Sequence, residues 1–423
     1  MEALEMYTVD TASDVYTEEL QLNLGPQHPS THGVLRVELK MDGEIITGSR
    51  CDIGYLHRCA EKIGENVTYL QFTPYTDRMD YLASMNNNLA WSLAVEKLLG
   101  VEAPERAQWV RVIVAELNRI ASHLIAFGTY GIDIGANTPF FYAFRERESI
   151  MALLERPSGA RMLYNYIRPG GVAHDVDDQW LADVLAFCDE FEQRWKEYNT
   201  LLTNNAIFIK RTANIGVIPR DMALDYGATG PVLRGSGVNW DLRRDAPYLK
   251  PYDDIEFDVP VGEGTHGTLG DCWDRYWVRM REMMESVRII RQACPRVPDG
   301  PFFDKKTEKI YKTPVKPQGE AYMRCENPRG ELGFYVVAEG GTSPIRCRTR
   351  APSFCNLALL DALLPGTMLA DGVAIIGSLL HGHRSRQASQ AASENAPAEG
   401  VTAIDHDRPV MLSGSCAPLS LRR

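Results

Sequence analysis

The feature that most constrains this fold is a change in hydrophobic period near residue 54. From Leu20 to about Arg50, apolar and polar residues alternate, and Asp42-Gly43 supplies a hairpin turn. Further along the chain, apolar residues instead recur every three or four positions, as on one face of a helix. Alternation buries one face of a sheet, whereas the longer period buries a stripe along a helix. The chain therefore predicts an α+β fold in which antiparallel strands precede helices.

Five segments carry the helical period. They are Met79 to Leu99 ending at Gly100, Pro104 to Phe127, Phe140 to Leu154, Asp177 to Leu202 and Asp271 to Cys294. Gly128 and Gly131 are expected to loosen the far end of the second helix. Ile215–Val261 is rich in Gly, Pro and Asp, which favours a long ordered surface loop, and alternation returns over Gly319–Arg350. We expect a central helical bundle with small antiparallel sheets at the ends.

Composition sets the domain plan. The 423 residues are 44% hydrophobic, enough for one large core, which we place in a single domain over residues 20–379. Residues 1–19 are expected to be a flexible N-terminal segment, and residues 380–423, rich in Ala, Ser and Pro, a disordered tail. The formal net charge of -11 disfavours a general nucleic-acid binder. The first residues lack a signal core, and no uncharged apolar run could cross a bilayer, so a cytoplasmic location is expected.

The nine cysteines are scattered singly along the chain, and no Cys-x-x-Cys pair occurs. Iron-sulfur and structural zinc sites usually use such pairs, so none is expected on this chain alone. The odd count fits reduced thiols, most of them buried as small apolar side chains.

The segment Gly25–Gly33 holds His28 and His32 among glycines and prolines. Two histidines four residues apart on a helix can bind zinc. However, Pro29 pushes His28 out of helical geometry. We therefore expect a hairpin tip that presents imidazoles, and an imidazole titrates near neutral pH, which suits proton delivery.

A dozen ordered motifs between about Leu22 and Leu379 carry a family resemblance. They include Gly25-Pro-Gln-His-Pro-Ser-Thr-His-Gly33, Ile53-Gly-Tyr-Leu-His-Arg58, Arg78-Met-Asp-Tyr81, Ser122-His123, Thr138-Pro-Phe-Phe-Tyr142, Asn165-Tyr-Ile-Arg168, Arg234-Gly-Ser-Gly-Val238, Arg329-Gly-Glu-Leu-Gly333 and Arg350-Ala-Pro-Ser-Phe354. In this order the chain resembles the 49-kDa (D-type) subunit family of respiratory complex I, the NADH:quinone oxidoreductase. That family is distantly related to the large subunit of nickel-iron hydrogenases, which implies a hydrogenase-large-subunit-like fold. The two Cys-x-x-Cys pairs that hold the hydrogenase metal are absent here.

The resemblance implies a quinone pocket between this chain and a B-type neighbouring subunit that carries a 4Fe-4S cluster. Quinone is then the substrate, and no cofactor is bound by this chain alone. Further implied partners are the C-type and I-type subunits and the H-type membrane subunit. The implied enzyme is a proton-translocating oxidoreductase on the cytoplasmic face of a bacterial plasma membrane, active only as a complex. The electron donor, NADH or ferredoxin, and the type of quinone stay open.

The resemblance also assigns roles at the quinone head group. Reduction to quinol consumes two electrons and two protons, so proton donors must lie beside the carbonyl oxygens. In the family a histidine and a tyrosine bracket the head group and an aspartate pairs with the histidine; the matching residues are His32, Tyr81 and Asp133. A carboxylate would fix the imidazole tautomer and stabilise its charged form. Taken alone, each residue has an ordinary alternative: a turn partner, a core tyrosine and a helix-end acceptor.

Arg58 and Arg78 match family arginines that lie near the cluster of the neighbouring subunit. Positive charge beside a cluster favours its reduced form. The alternative is a pair of surface salt bridges, which would contribute little.

Three departures from the family pattern stand out. Leu163 occupies a place where respiratory members often have a histidine, which predicts a lower cluster potential with weak pH dependence. The segment Lys312–Gly319 is short and lacks a helix usual in the family. The C-terminus reads Ser378-Leu-Leu-His-Gly-His-Arg384 where relatives have an Asp-containing ending.

Two other functions remain open at this stage. The chain could be a structural scaffold of the same complex with a weakened site, since two of the departures lie at Leu163 and the C-terminus. A mononuclear zinc hydrolase using His28 and His32 would need a third ligand and an adjacent Glu, and neither occurs at suitable spacing.

Overall fold

The computed structural model describes residues 19–31, 33–304 and 315–380. Its strands are β1 Glu19–Leu24, β2 Arg36–Asp42, β3 Ile45–Asp52, β4 Ile167–Arg168, β5 Gly171–Val172, β6 Gln318–Asn327, β7 Gly330–Glu339 and β8 Arg346–Arg350. Its helices are α1 Ala60–Asn66, α2 Thr73–Asp77, α3 Ser84–Leu99, α4 Glu105–Asp133, α5 Thr138–Ser158, α6 Asp178–Tyr198, α7 Ala206–Lys210, α8 Arg220–Asp225, α9 Pro231–Gly235, α10 Leu242–Asp245, α11 Cys272–Ala293, α12 Pro352–Leu357, α13 Leu360–Leu363 and α14 Leu369–Leu380. The predicted α+β class is confirmed.

The N-terminal sheet has the order β1-β2-β3, with both pairs antiparallel. On β2 the apolar side chains of Val37, Leu39 and Met41 are buried, and the polar residues between them face outward or lie at the margin. The Asp42-Gly43 turn closes β2 onto β3, and Gly43 adopts a positive φ of 56°. The alternation of apolar and polar residues in the sequence therefore predicted this sheet correctly.

The helical centre is built around α4, which is buried along nearly its whole length and packs against α3, α5, α11 and α14. The expectation that Gly128 and Gly131 loosen this helix is wrong, because the helix continues through both to Asp133. Each glycine instead permits a close approach: a Cβ on Gly128 would lie 3.0 Å from the Phe140 Cα, and one on Gly131 would lie 3.0 Å from the Ala136 carbonyl oxygen. The glycines thus let α5 and its connection pack tightly on α4.

The second large sheet has the order β6-β7-β8 and covers α3. Trp91 of α3 connects the two layers through edge-to-face contacts, with ring centroids 4.7 Å from Phe72 and 5.5 Å from Phe334. Small sheets thus flank a helical bundle, as predicted.

Two predicted elements differ from the structure. The helix expected from Met79 begins at Ser84, because the Asp80 side chain accepts the Leu82 N–H at 3.2 Å and holds the preceding residues in a turn. The segment Ile215–Val261 is not a surface loop. It contains α8, α9 and α10 and buries charged side chains in the core, where oppositely charged partners neutralise them.

Within the described ranges, no helix combines the length and apolar character needed to cross a membrane. The expected flexible segment at residues 1–19 and the expected tail at residues 380–423 lie almost wholly outside the described residues, which begin at Glu19 and end at Leu380. The short stretch before Gly319 is described only from residue 315.

Candidate functional site

The loop between β1 and β2 is closed by hydrogen bonds of its own residues. The Thr31 backbone N–H and hydroxyl donate to the His28 carbonyl oxygen at 3.1 and 2.8 Å. The Ser30 N–H donates to His28 Nδ1 at 3.3 Å, so this imidazole serves the loop itself. The predicted site residue His32 lies outside the described residues, between buried Thr31 and Gly33.

The entry of this loop requires a glycine. Gly25 has a φ of +92°, and a Cβ on it would lie 1.9 Å from the Leu35 carbonyl oxygen. Any side chain would therefore push the two ends of the loop apart. The close approach fixes the direction in which the loop leaves the sheet.

Asp133 is the last residue of α4 and is half-buried beside α14. The close contact between the end of α4 and α14 depends on Gly377, because a Cβ there would lie 2.7 Å from Asp133 Oδ2 and 2.9 Å from the Tyr130 ring. The same helix α14 packs on the turn Pro29–Thr31 of the histidine loop. One helix thus contacts both the predicted aspartate and the loop that carries the predicted histidine.

Tyr81 lies half-buried in the turn before α3. Its neighbour Asp80 is buried and forms an ion pair with Arg329, whose side chain is 9% exposed. Arg329 belongs to the hairpin turn between β6 and β7. The tyrosine therefore sits where the helical centre meets the second sheet.

Two buried arginines of α11 hold α14 beside the Asp133 region. Arg279 of α11 donates to the Ser378 carbonyl oxygen at 2.8 Å, one residue beyond Gly377. Burial lowers the pKa of Arg279 to about 9, and the charges of Arg275 and Arg329 act in the same direction. Arg275 donates to the Ser378 hydroxyl at 2.9 and 3.0 Å. Among the described residues, neither Arg275 nor Arg279 has a carboxylate within ion-pair distance.

Arg58 and Arg78 lie together on the surface. Arg58 Nη2 donates to the Arg78 carbonyl oxygen at 2.7 Å, and Arg78 Nη1 donates to the Pro74 carbonyl oxygen at 2.6 Å. Partial burial, followed by the charge of Arg78, lowers the pKa of Arg58. Neither guanidinium is ion-paired with a carboxylate of the described residues.

Asp77 is a buried acid that the sequence reasoning missed. Its Oδ2 accepts the Asn165 N–H at 3.0 Å, and the loop that supplies this bond holds both Leu163 and Asn165 at positive φ, 61° and 44°. Burial raises the pKa of Asp77 to about 7, against the opposing effect of its hydrogen bonds and of Arg78. Leu163, at the place of the family histidine, thus belongs to the loop that is hydrogen-bonded to this carboxyl group through Asn165.

A network of fully buried ion pairs stabilises the core behind the site. Its centre is Glu282, which accepts from His123 Nε2 at 2.8 Å and from Arg234 Nε at 2.9 Å. Burial lowers the pKa of His123 to about 4. Burial alone would raise the pKa of Glu282, but Arg234 and His123 hold it well below its usual range. A second centre, Glu116, accepts from Arg243 at 3.0 Å.

Over the described parts of the chain, no three His, Cys, Asp or Glu side chains are grouped so that they could hold a metal ion. The described cysteines are free thiols, and five of them are buried. Burial raises the pKa of Cys188 to about 12, so this thiol stays neutral.

Several of these residues lie in or beside the sequence motifs, yet the motifs alone assign them no role. Asp80 and Arg329 fall inside two of the family motifs, and their pairing depends on the tertiary fold. Asp77 precedes one motif by a single position, and only its burial distinguishes it from an ordinary surface acid. Ionisable residues within apolar helical stripes, such as His123 on α4, were the available signal for the buried network.

Comparison with known proteins finds similarity to one family. The family model for the 49 kDa subunit of respiratory-chain NADH dehydrogenase matches residues 133–381. The chain is 52% identical over 373 residues to the D subunit of NADH-quinone oxidoreductase from Chlorobaculum tepidum, covering 88% of this chain and 92% of the relative. It is 52% identical over 368 residues to the protein of the same name from Chlorobium luteolum, covering 86% and 92%. For Pelodictyon phaeoclathratiforme the identity is 53% over 367 residues, covering 86% and 91%.

Proposed function

We propose, from the premise that this chain belongs to the 49-kDa (D-type) subunit family of respiratory-chain NADH dehydrogenases, that it forms the quinone-reducing site of its complex. Membership makes the chain an oxidoreductase subunit within a hetero-oligomer. The proposed site supplies protons for reduction of quinone to quinol and is coupled to proton translocation. The alternative is a scaffold protein of the same complex with a weakened site.

The observation that carries this proposal is the position of α14. This helix packs on both the turn Pro29–Thr31 and the end of α4, where Asp133 lies against Gly377. His32 directly follows that turn in the sequence. A carboxylate near this position can orient an imidazole and stabilise its charged form, as in other acid–base pairs.

The proposed chemistry divides the work between two donors. The Tyr81 phenol donates a hydrogen bond to one quinone oxygen and passes that proton to it as the oxygen is reduced. The His32 imidazolium delivers the second proton to the other oxygen, and both donors then regain a proton from solvent, His32 with the help of Asp133. Electrons come from the 4Fe-4S cluster that the neighbouring subunit is proposed to hold.

The exposed pair Arg58 and Arg78 is proposed to face that cluster. Both guanidiniums use backbone carbonyls as partners, so their charges are available to a neighbouring group. A positive charge beside the cluster would favour its reduced form. The proposed partners are the B-type, C-type, I-type and H-type subunits, on the cytoplasmic face of a bacterial plasma membrane.

The test is Tyr81→Phe in the assembled complex, with cluster reduction and quinone reduction measured separately. Loss of the phenolic hydroxyl should lower quinone turnover by about 10²-fold or more, in the range of a positioned general acid. Reduction of the cluster by the upstream donor should be unchanged. Tyr226→Phe is the matched control, because Tyr226 is 42% exposed and has no proposed part in the reaction.

Three outcomes distinguish the catalytic function from the scaffold function. Selective loss of quinone turnover supports the catalytic site. Unchanged quinone turnover refutes the assignment of Tyr81. Loss of assembly with normal turnover in each remaining complex would favour the scaffold function.

A further inference from the structure

We propose that Asp80 and Arg329 are positioning residues that hold the turn carrying Tyr81 and so set the direction of its hydroxyl. This inference rests on the proposed function, because it concerns the same reaction. It adds two residues that act through the tyrosine and do not themselves contact the quinone.

Asp80 holds the turn on both sides of the tyrosine. Its side-chain Oδ1 accepts the Leu82 N–H at 3.2 Å, so the bond spans Tyr81. Its carbonyl oxygen accepts the Ala83 N–H at 3.0 Å and the Asn87 side-chain N–H at 2.9 Å. Such side-chain-to-backbone bonds replace the helical bonds that the segment lacks. The backbone of Tyr81 is therefore fixed by one carboxylate and one carbonyl of its neighbour.

Arg329 fixes the position of that carboxylate. The two side chains form an ion pair and are 9% and 3% exposed. Within the described part of the chain, the guanidinium nitrogens make no directed hydrogen bond, so Arg329 acts on Asp80 as a charge. Without this cation the buried carboxylate would be unpaired, which favours its movement toward solvent.

The hairpin turn that carries Arg329 is itself rigid. The Arg329 N–H donates to Asn327 Oδ1 at 3.2 Å, and the Asn327 side-chain N–H donates to Asn87 Oδ1 at 3.3 Å. Asn87 also bonds the Asp80 carbonyl oxygen. A second set of contacts, made by uncharged side chains, thus connects the turn between β6 and β7 to the turn before α3.

A neighbouring loop holds the hairpin from the other side. Gly330 has a φ of +131°, and a Cβ there would lie 2.5 Å from Thr229 Oγ1. That hydroxyl accepts the Glu331 N–H at 3.1 Å. Because the guanidinium extends from such a restrained turn, it can hold Asp80 in one place. Displacing a reacting group by about 1 Å can cost about 10²-fold in rate.

The experiment uses the assembled complex with a short-chain quinone, and kcat is counted per complex from the cluster signal. Asp80→Asn and Arg329→Gln should each lower kcat about tenfold, with KM changed less than about threefold. Arg329→Lys should stay within about threefold of the parent, since the contact needs a charge rather than a directed hydrogen bond. Arg288→Gln is the matched control, because it breaks an exposed ion pair with Asp258.

Combination with Tyr81→Phe separates positioning from general destabilisation. If Asp80 acts through the phenol, Asp80→Asn should add no further loss on the Tyr81→Phe background. If the losses in kcat from Asp80→Asn and Tyr81→Phe instead multiply in the double variant, the inference is overturned. Full kcat per assembled complex in both Asp80→Asn and Arg329→Gln would overturn it as well. A complex that assembles poorly yet turns over normally counts against it as well.

The outcome also separates this inference from the proposed function. If Tyr81→Phe alone leaves turnover unchanged, the proposed function fails. If Tyr81→Phe impairs turnover while Asp80→Asn and Arg329→Gln do not, only the positioning role fails.

Discussion

Replacing Asp77 with Asn should stabilise its surroundings, and more so as the pH rises. The Asp77 pKa is raised from 3.8 to about 7, mainly by burial. The folded state therefore keeps its proton over a pH range in which the unfolded state has already lost it. Because the folded state binds more protons there, stability falls as the pH rises from about 4 to about 7 and is level above that range.

The size of the effect follows from the shift. About three pKa units at about 1.4 kcal/mol each give a ceiling of about 4 kcal/mol. Asn cannot ionise, yet its side-chain oxygen can still accept the Asn165 N–H. The advantage of Asp77→Asn over the parent should therefore be small near pH 4 and approach this ceiling above about pH 7.

Hydrogen exchange of the assembled complex provides the assay, followed for residues 73–83 and 161–168 between pH 5 and 8. The opening free energy of these segments should rise in Asp77→Asn relative to the parent as the pH increases. Asp183→Asn is the control, because the Asp183 side chain is 38% exposed and its pKa is lowered by the hydrogen bond from Arg156. The reasoning would be refuted if the difference in opening free energy between variant and parent did not change with pH. It would also be refuted if the opening free energy of the parent rose relative to that of the variant at high pH.

Three further predictions follow from other contacts. Gly377→Ala should lower quinone turnover and lower the free energy of unfolding by about 1–3 kcal/mol through overpacking, because the new Cβ would lie 2.7 Å from Asp133 Oδ2. An unchanged melting temperature together with unchanged quinone turnover would contradict this prediction. Glu282→Gln should cost about 1–3 kcal/mol by removing one of the three buried carboxylates that pair with Arg234, seen as a lower melting temperature of the complex. Leu163→His should give the 4Fe-4S cluster proposed for the neighbouring subunit a potential that falls with pH by up to about 59 mV per unit, measured by redox titration. The same pH slope in the parent chain would count against the role of this position.

The sheets and the helical bundle were predictable because the signals that specify them are local. Alternation over a few residues and a stripe over a few turns can be read directly from the chain. The function of Gly128 could not be read in this way, since the sequence does not tell a loosened helix end from a close helix contact.

Burial of the segment around Arg243 was missed for a related reason. Its partner Glu116 is 127 residues away, and a charge-rich, Gly-rich stretch resembles a surface loop until that partner is known. The family motifs identified Tyr81 and Asp133 as candidates, but not the residues that hold them. The distance between Tyr81 and His32 stays a prediction, because His32 lies outside the described residues.

The position of α14 has a consequence for damaged or shortened chains. This helix contacts the turn Pro29–Thr31 near one end of the sequence and the end of α4 in its middle. A protease cut or premature stop before Leu369 would remove the support of both at once. Such a chain would lose the proposed quinone site in one step, and its newly exposed apolar surface would mark it for degradation by cellular quality control.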